Sequence, residues 1–215
     1  MTVPREQGLR VIKVGPLGPY ANNGYVIIDT ESRESLIVDM PHEGERLLEA
    51  ARGTRVTRVI LTHAHPDHLL SYDLITAATG ALVCAHADET AMPSEKIGER
   101  LTDGEELPLG EERVVVIHTP GHTPGSICLL AGGHLIAGDT LFPGGPGHTD
   151  RPEELQQEIR SIVERLYVLP DDAIVHPGHG DDTTIGESKR EHAVFASREH
   201  PPDLCGDVTW GGSQD

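Results

Sequence analysis

Short β-branched runs recur along the whole chain, most of them bounded by turn residues: VIKV (11–14), GYVIID (24–29), SLIVD (35–39), RVTRVILT (55–62), ALVCAH (81–86), RVVVIHT (113–119), SICLLA (126–131), HLIAGD (134–139) and AIVHPG (173–178). Runs of this length and composition read as buried or half-buried strands. Helical periodicity falls in some of the gaps. GERLLEAARG (44–53) ends on a glycine suited to the position after a helix. DHLLSYDLITAATG (67–80) opens on Asp67, able to cap a helix, and also stops at glycine. RPEELQQEIRSIVERLYVLP (151–170) sets Leu155, Ile159, Ile162 and Leu166 on one face, with Pro152 and acidic residues in its first turn. Between 87 and 112 only a turn at TDGEE is legible. Successive strands with interspersed helices specify an α/β or α+β layered domain whose helices cover sheet faces.

A length of 215 residues suits one domain with a sizeable core, expected over 1–200. The Pro/Gly-rich tail 201–215 reads as loose and forms no domain of its own. Trp210, the only tryptophan, and Cys205 read there as packing residues. Aromatics are only 3% of the chain, so the core is expected to be aliphatic. The net charge of −18 repels phosphate backbones and argues against a nucleic-acid partner. Cys84, Cys128 and Cys205 lie far apart, form no C-x-x-C and are odd in number, which reads as buried thiols in a reducing cytoplasm. MTVPREQGLR carries no apolar leader core, and no stretch nears the length of a membrane span. A cytoplasmic protein without a membrane partner is expected.

THAHPDH (62–68) concentrates His63, His65, Asp67 and His68 directly after an apolar strand. Adjacent imidazoles and carboxylates have no packing rationale and are the usual donors to zinc and similar metals. If the strand continues, His63 and His65 point the same way, because side chains alternate with period two. Asp67 and His68 follow the turn at Pro66 and can face a neighbouring point, so the motif can serve two adjacent ions. Each ion then lacks donors. His122 in TPGHTPGS, Asp139 in IAGDTLF and His179 in VHPGHG all follow strands, where loops carry function on a rigid scaffold. A lone histidine there is more often a surface or satisfied core residue, and a lone aspartate a turn former. These three gain weight because the cluster needs partners.

THAHPDH, TPGHTPGS, GDTLF and PGHG stand in the order and approximate spacing of the metallo-β-lactamase superfamily. Over roughly residues 10 to 190 the chain most resembles its glyoxalase II branch, the hydroxyacylglutathione hydrolases, and in GDTLFPGGPG and GHGDDTTIG their short bacterial relatives. The resemblance implies an αββα sandwich: two mixed β-sheets flanked by helices, with the site at one edge. It further implies two divalent metal ions, zinc first, with iron or manganese compatible. By position, His63, His65 and His122 would hold the first ion, Asp67, His68 and His179 the second, and Asp139 would bridge them. His118 and His176 read as outer or structural residues, and His148 as a candidate for the substrate mouth.

Two such ions about 3.5–4 Å apart can share a hydroxide that attacks an acyl carbon. Asp67 would be the catalytic residue that orients the hydroxide and takes its proton. A thioester suits this chemistry, since thiolate leaves readily and is a soft donor that zinc accepts. The expected activity is that of a hydroxyacylglutathione hydrolase-like thioesterase on a small acyl thioester, such as a 2-hydroxyacyl conjugate of a low-molecular-weight thiol. Full-length enzymes of the branch grip glutathione through C-terminal basic and aromatic side chains. Here only Lys189, Arg190 and Arg198 follow His179 as basic residues, so glutathione is less well supported than the reaction class. A persulfide dioxygenase, holding one iron through His63, His122 and Asp139, and a lactonase are the alternatives. A β-lactamase fits less well because GDT is foreign to its pattern, and a nuclease because of the charge. A scaffold without turnover is disfavoured because all seven donor positions are filled. Oligomeric state is not legible.

Overall fold

β1 (Leu9–Leu17), β2 (Asn22–Asp29) and β3 (Glu34–Val38) pair antiparallel in sequence order. Each neighbour then joins in parallel, first β4 (Arg55–Ile60), next β5 (Leu82–His86) and finally β6 (Glu99–Leu101). Parallel neighbours need crossovers. α1 (Gly44–Ala50) provides one between β3 and β4, and α2 (Tyr72–Thr79) another between β4 and β5. The second sheet starts as an antiparallel meander of β7 (Glu106–Leu109), β8 (Glu112–His118), β9 (Ile127–Ala131) and β10 (His134–Gly138). A small ribbon follows, β11 (Leu141–Phe142) with β12 (Gly145–Pro146), then α3 (Pro152–Ser161). β13 (Ile174–Pro177) returns parallel to β10, β14 (Thr183–Thr184) closes that edge, and α4 (Ile185–Ala196) comes after it. This computed structural model describes residues 8–211.

Strand alternation explains the layering. In β2, Val26 and Ile28 face outward onto a cluster with Leu47 of α1 and Ile75 of α2. Tyr25 and Ile27 face inward and meet Val114, Val116 and Leu129 of the second sheet. The outer face of that sheet, including Leu135 and Val175, packs on Leu155 of α3 and Phe195 of α4. Burying each such side chain contributes about 1.5–3 kcal/mol. The result is the expected αββα sandwich of two mixed sheets with helices outside, and its core is mainly aliphatic, with Tyr25, Phe195 and Trp210 buried among the aliphatic side chains.

Several local expectations are corrected. Asp67 caps no helix. The chain takes a 3-10 turn over Pro66–His68, and α2 starts only at Tyr72, because the Asp67 carboxylate is engaged across the sheet edge instead. β4 stops at Ile60, so His63 and His65 converge from a loop rather than along a strand. The long third helix leaves α-geometry after Ser161 and finishes as a π-turn over Ile162–Leu166. α1 ends at Ala50, short of Gly53. The indistinct 87–112 segment contains β6 and β7. Cys205 is half-buried, unlike the buried Cys84 and Cys128. The tail is not loose as far as it is described: Val208 and Trp210 are buried against the α3 and α4 cluster. Residues 1–7, most of the stretch MTVPREQGLR in which no leader core was read, and residues 212–215 of the tail lie outside the described residues. Among the described residues no helix is long and apolar enough to cross a membrane.

β3, β4 and β5 are mutually parallel, and so are β8, β10 and β13. The Ile127 amide donates to the Thr62 carbonyl at 2.9 Å and joins the two sheets at one edge. Asp39, His63–His68, His122, Asp139 and His179 all lie just beyond the carboxyl ends of these strands and meet there.

Candidate metal centre

The THAHPDH loop is fixed from beneath by Asp39, at the end of β3. Its Oδ1 accepts from the Thr62 amide at 2.8 Å. Its Oδ2 accepts from the Thr62 hydroxyl at 2.8 Å and pairs with His68 Nδ1 at 3.0 Å. With Nδ1 engaged, His68 turns Nε2 toward the cluster, 3.5 Å from both Asp67 Oδ2 and Asp139 Oδ1. His63 is likewise held through Nδ1, 3.1 Å from the Thr62 hydroxyl. His122 is held through Nδ1 by the His148 carbonyl at 2.8 Å, and its Nε2 lies 2.9 Å from His65 Nδ1. His179 is held through Nδ1 by the Tyr20 carbonyl at 2.9 Å, with Nε2 3.4 Å from Asp67 Oδ2 and from Asp139 Oδ2. Asn22 donates to Asp67 Oδ2 at 2.7 Å. Imidazoles oriented through one nitrogen so that the other faces a common point are what metal ligation requires.

His63, His65 and His122 form one group, Asp67, His68 and His179 a second, and His63, His68 and Asp139 a third, with the donor atoms of each within 4.8 Å of one another. The structure therefore brings together all seven residues singled out from the sequence. A cation fits them. His63 Nε2, His68 Nε2 and Asp139 Oδ1 are buried without a hydrogen-bond partner. Leaving such atoms unsatisfied costs roughly 1–3 kcal/mol each. Mixed imidazole and carboxylate donors suit zinc, iron and manganese. A side chain at position 178 would obstruct the arrangement, since a Cβ on Gly178 would lie 2.0 Å from Asp139 Oδ1 and 2.9 Å from His68 Cε1.

Burial raises the Asp139 carboxyl, but the His179 and His68 rings, 3.4 and 3.5 Å away, outweigh it and hold the group well below the usual range. Asp67 is also held low: burial opposes this, and His179 and Asn22 prevail. Burial lowers His179, yet its bonds to Asp139 and Asp67 raise it to about 10. His63, fully buried, is pushed well below its ordinary value by burial and by the neighbouring His68.

The sequence reading missed Asp39, Asn22 and Tyr20. Asp39 had a usable signal, because it ends the run SLIVD as Asp139 ends HLIAGD. The other two hold the site through an amide and a backbone carbonyl, for which residue type gives no cue. His118 and His176 serve elsewhere. His176 pairs with His134 and Asp182. His118 stacks on His86 with centroids 3.7 Å apart. Those two rings also group with Asp88. However, His86 Nδ1 accepts from the Asp88 amide and His118 Nε2 bonds the Pro124 carbonyl, so the nitrogen of each ring nearest Asp88 is already engaged.

A cavity of about 380 Å³ opens on the cluster, with His122, Asp139 and His179 at its floor and Phe142, His148 and Val208 among its walls. His148 is thus placed at the mouth, with its side chain 52% exposed.

The metallo-β-lactamase superfamily model matches residues 17–179. An uncharacterized protein of Aquifex aeolicus is 34% identical over 83% of this chain and 94% of its own length. The hydroxyacylglutathione hydrolase GloC of Haemophilus influenzae is 30% identical over 87% and 99%. A hydroxyacylglutathione hydrolase of a Polaromonas strain is 34% identical over 74% of this chain and 62% of itself. Among solved structures, ETHE1 from Myxococcus xanthus superposes with a TM-score of 0.76 at 28% identity, covering 87% of this chain and 86% of that one. BLEG-1, a B3 metallo-β-lactamase, gives 0.74 at 29% identity over 84% and 97%. TTHA1623, in a di-iron-bound form, gives 0.70 at 30% identity over 83% and 97%. With the family match running from β2 to β13 and over the whole donor set, and relatives aligned along nearly their full length, the chain belongs to the metallo-β-lactamase superfamily.

Proposed function

We propose that this chain is a dinuclear metallo-hydrolase that cleaves small acyl thioesters. One observation carries the reading. The groups His63/His65/His122 and Asp67/His68/His179 share no residue, and Asp139 lies between them, 3.9 Å from His122, 3.5 Å from His68 and 3.4 Å from His179. Two divalent ions held there, zinc first by donor type, supply polarisation of an acyl carbonyl and acidification of water. Asp67 orients the attacking water and accepts its proton, and Asn22 fixes the carboxylate for that task. Asp39 keeps His68 in the tautomer that faces the site. A cysteine nucleophile is disfavoured, since burial pushes the Cys84 thiol up to about 12 and the Cys128 thiol to about 11. The hydroxyacylglutathione hydrolase names of the Haemophilus and Polaromonas relatives support a thioester substrate. Unpaired cysteines fit a reducing cytoplasm.

The alternative raised by the sequence is a mononuclear iron persulfide dioxygenase on His63, His122 and Asp139. It leaves His65, Asp67, His68 and His179 without a task. Metal analysis combined with thioester, lactone and persulfide assays separates the readings. Two ions per chain with thioester turnover, lost in Asp67→Ala, is the expected result. One iron with oxygen consumption on a persulfide, or full thioester turnover in Asp67→Ala, overturns it.

A further inference from the structure

β5 runs parallel to β4, so the turn that follows it comes to the same edge as the THAHPDH loop. Glu89 sits in that turn and is only 2% exposed. Its carboxylate reaches two metal-binding loops at once. Oε2 accepts from the Ala64 amide at 3.3 Å and from the Thr123 hydroxyl at 2.9 Å. Oε1 accepts from the Ala91 amide at 3.1 Å and closes the turn of Glu89 itself. Ala64 stands between His63 and His65, and Thr123 directly follows His122. The three histidines of one donor group therefore lie on segments that meet at a single carboxylate oxygen.

The contact leaves little play. A Cβ on Gly125 would lie 2.4 Å from the Glu89 nitrogen and 2.5 Å from its Cα, so the TPGHTPGS loop rests on the Glu89 backbone, an approach that glycine permits. Ser126 Oγ accepts from the Thr123 amide at 3.0 Å and lies 2.9 Å from Thr123 Oγ1, which leaves the Thr123 proton aimed at Glu89. Arg100 donates to the Glu89 carbonyl at 2.7 Å rather than to the carboxylate, whose three bonds all come from neutral donors. Burying a charged group is costly unless it is hydrogen-bonded. Here that cost is offset only while the two loops keep this spacing.

The spacing matters most to the all-histidine group. His122 Nε2 lies 2.9 Å from His65 Nδ1, with the ring centroids 4.5 Å apart, so a shift of either loop alters the gap that an ion must fill. Asp67, His68 and His179 are held by other partners, Asn22, Asp39 and the Tyr20 carbonyl.

We infer that Glu89 is a positioning residue that sets His63, His65 and His122 at the spacing one ion needs, and that it governs the affinity of that metal position and not of the other. This rests on the dinuclear reading above.

The test is zinc affinity, by chelator competition, in two full-length backgrounds. His179→Ala keeps the group His63/His65/His122, and His122→Ala keeps Asp67/His68/His179. Glu89→Gln should weaken zinc about tenfold or more in the first background and less than about twofold in the second. Equal weakening in both backgrounds overturns the inference, and so does a loss of thermal stability in the metal-free protein with zinc affinity unchanged. Thr123→Val removes one arm, keeps the carboxylate and covers the case in which Glu89→Gln does not fold. It should weaken zinc about threefold or more in His179→Ala alone, and no difference between the backgrounds overturns the inference. Two zinc ions on the parent protein with no selective effect of either variant defeat the Glu89 assignment and leave the dinuclear reading standing. One zinc on the parent, weakened by both variants, does the reverse.

Discussion

Asp39→Asn is the substitution that separates orientation of the metal ligands from ligation itself. Asp39 touches none of the proposed metal positions, and its φ of 60° is one that asparagine also adopts, so the backbone is not strained by the change. The amide keeps one oxygen for the Thr62 amide but loses the acceptor shared by the Thr62 hydroxyl and His68 Nδ1. A buried hydrogen bond to a charged group contributes about 1.5–3 kcal/mol. Part of that loss falls on the fold in every state. The rest falls on metal uptake, because His68 is then free to place its proton on Nε2, the atom that faces Asp67 and Asp139. Losing an outer partner of a metal-bound histidine typically weakens affinity 10–100-fold, or about 1.4–2.7 kcal/mol. Competition with a chromophoric chelator should show one metal equivalent bound within that range of weakening and the other changed less, since of His63, His65 and His122 only His63 is tied to Asp39, and only indirectly through the Thr62 hydroxyl. Two equivalents bound as tightly as in the parent, in a variant with native thermal stability, would show that Asp39 does not orient His68 for metal.

Gly178→Ala is expected to cost about 1–3 kcal/mol of stability through overpacking and to weaken metal uptake, because its Cβ intrudes on Asp139 Oδ1; thermal unfolding and the same chelator competition check this. Glu158 of α3 is buried, and desolvation raises its carboxyl well above the usual range even though the Gly147 amide bonds it at 3.1 Å. A group whose pKa is raised by folding stabilises fully below its unfolded pKa, and that stability is lost as pH rises toward the folded value. Glu158→Gln should match the parent near pH 4 and gain on it steadily toward pH 8 in denaturant unfolding; parallel curves would refute this. Metal uptake requires neutral imidazole, and in the metal-free protein the His179 ring, held up to about 10 by Asp139 and Asp67 against burial, must first give up a proton. Apparent affinity should therefore keep rising with pH from about 6 to 10, with proton release seen by calorimetry in buffers of different ionisation enthalpy; a plateau above neutrality refutes it.

The chain's local pattern already carried the layered architecture. The β-branched runs such as GYVIID of β2 and the Leu155–Leu166 stripe of the third helix are properties of consecutive residues, so strands, helices and a layered α/β or α+β domain were legible there, while the αββα arrangement came only from the resemblance of the motifs to a known family. The seven metal-type residues were legible for a related reason: imidazoles and carboxylates placed directly after apolar strands have few other uses. The tertiary structure decided what distant segments do to one another. Pairing across the sheet edge drew Asp67 toward Asn22 and His179 and away from any helix cap. It set Asp39 behind His68, and it set Glu89 between the loops that carry His63, His65 and His122. Hydrogen bonds and close contacts between residues far apart in sequence leave no periodic trace, because each partner is an ordinary residue until the fold brings it within about 3 Å of the other.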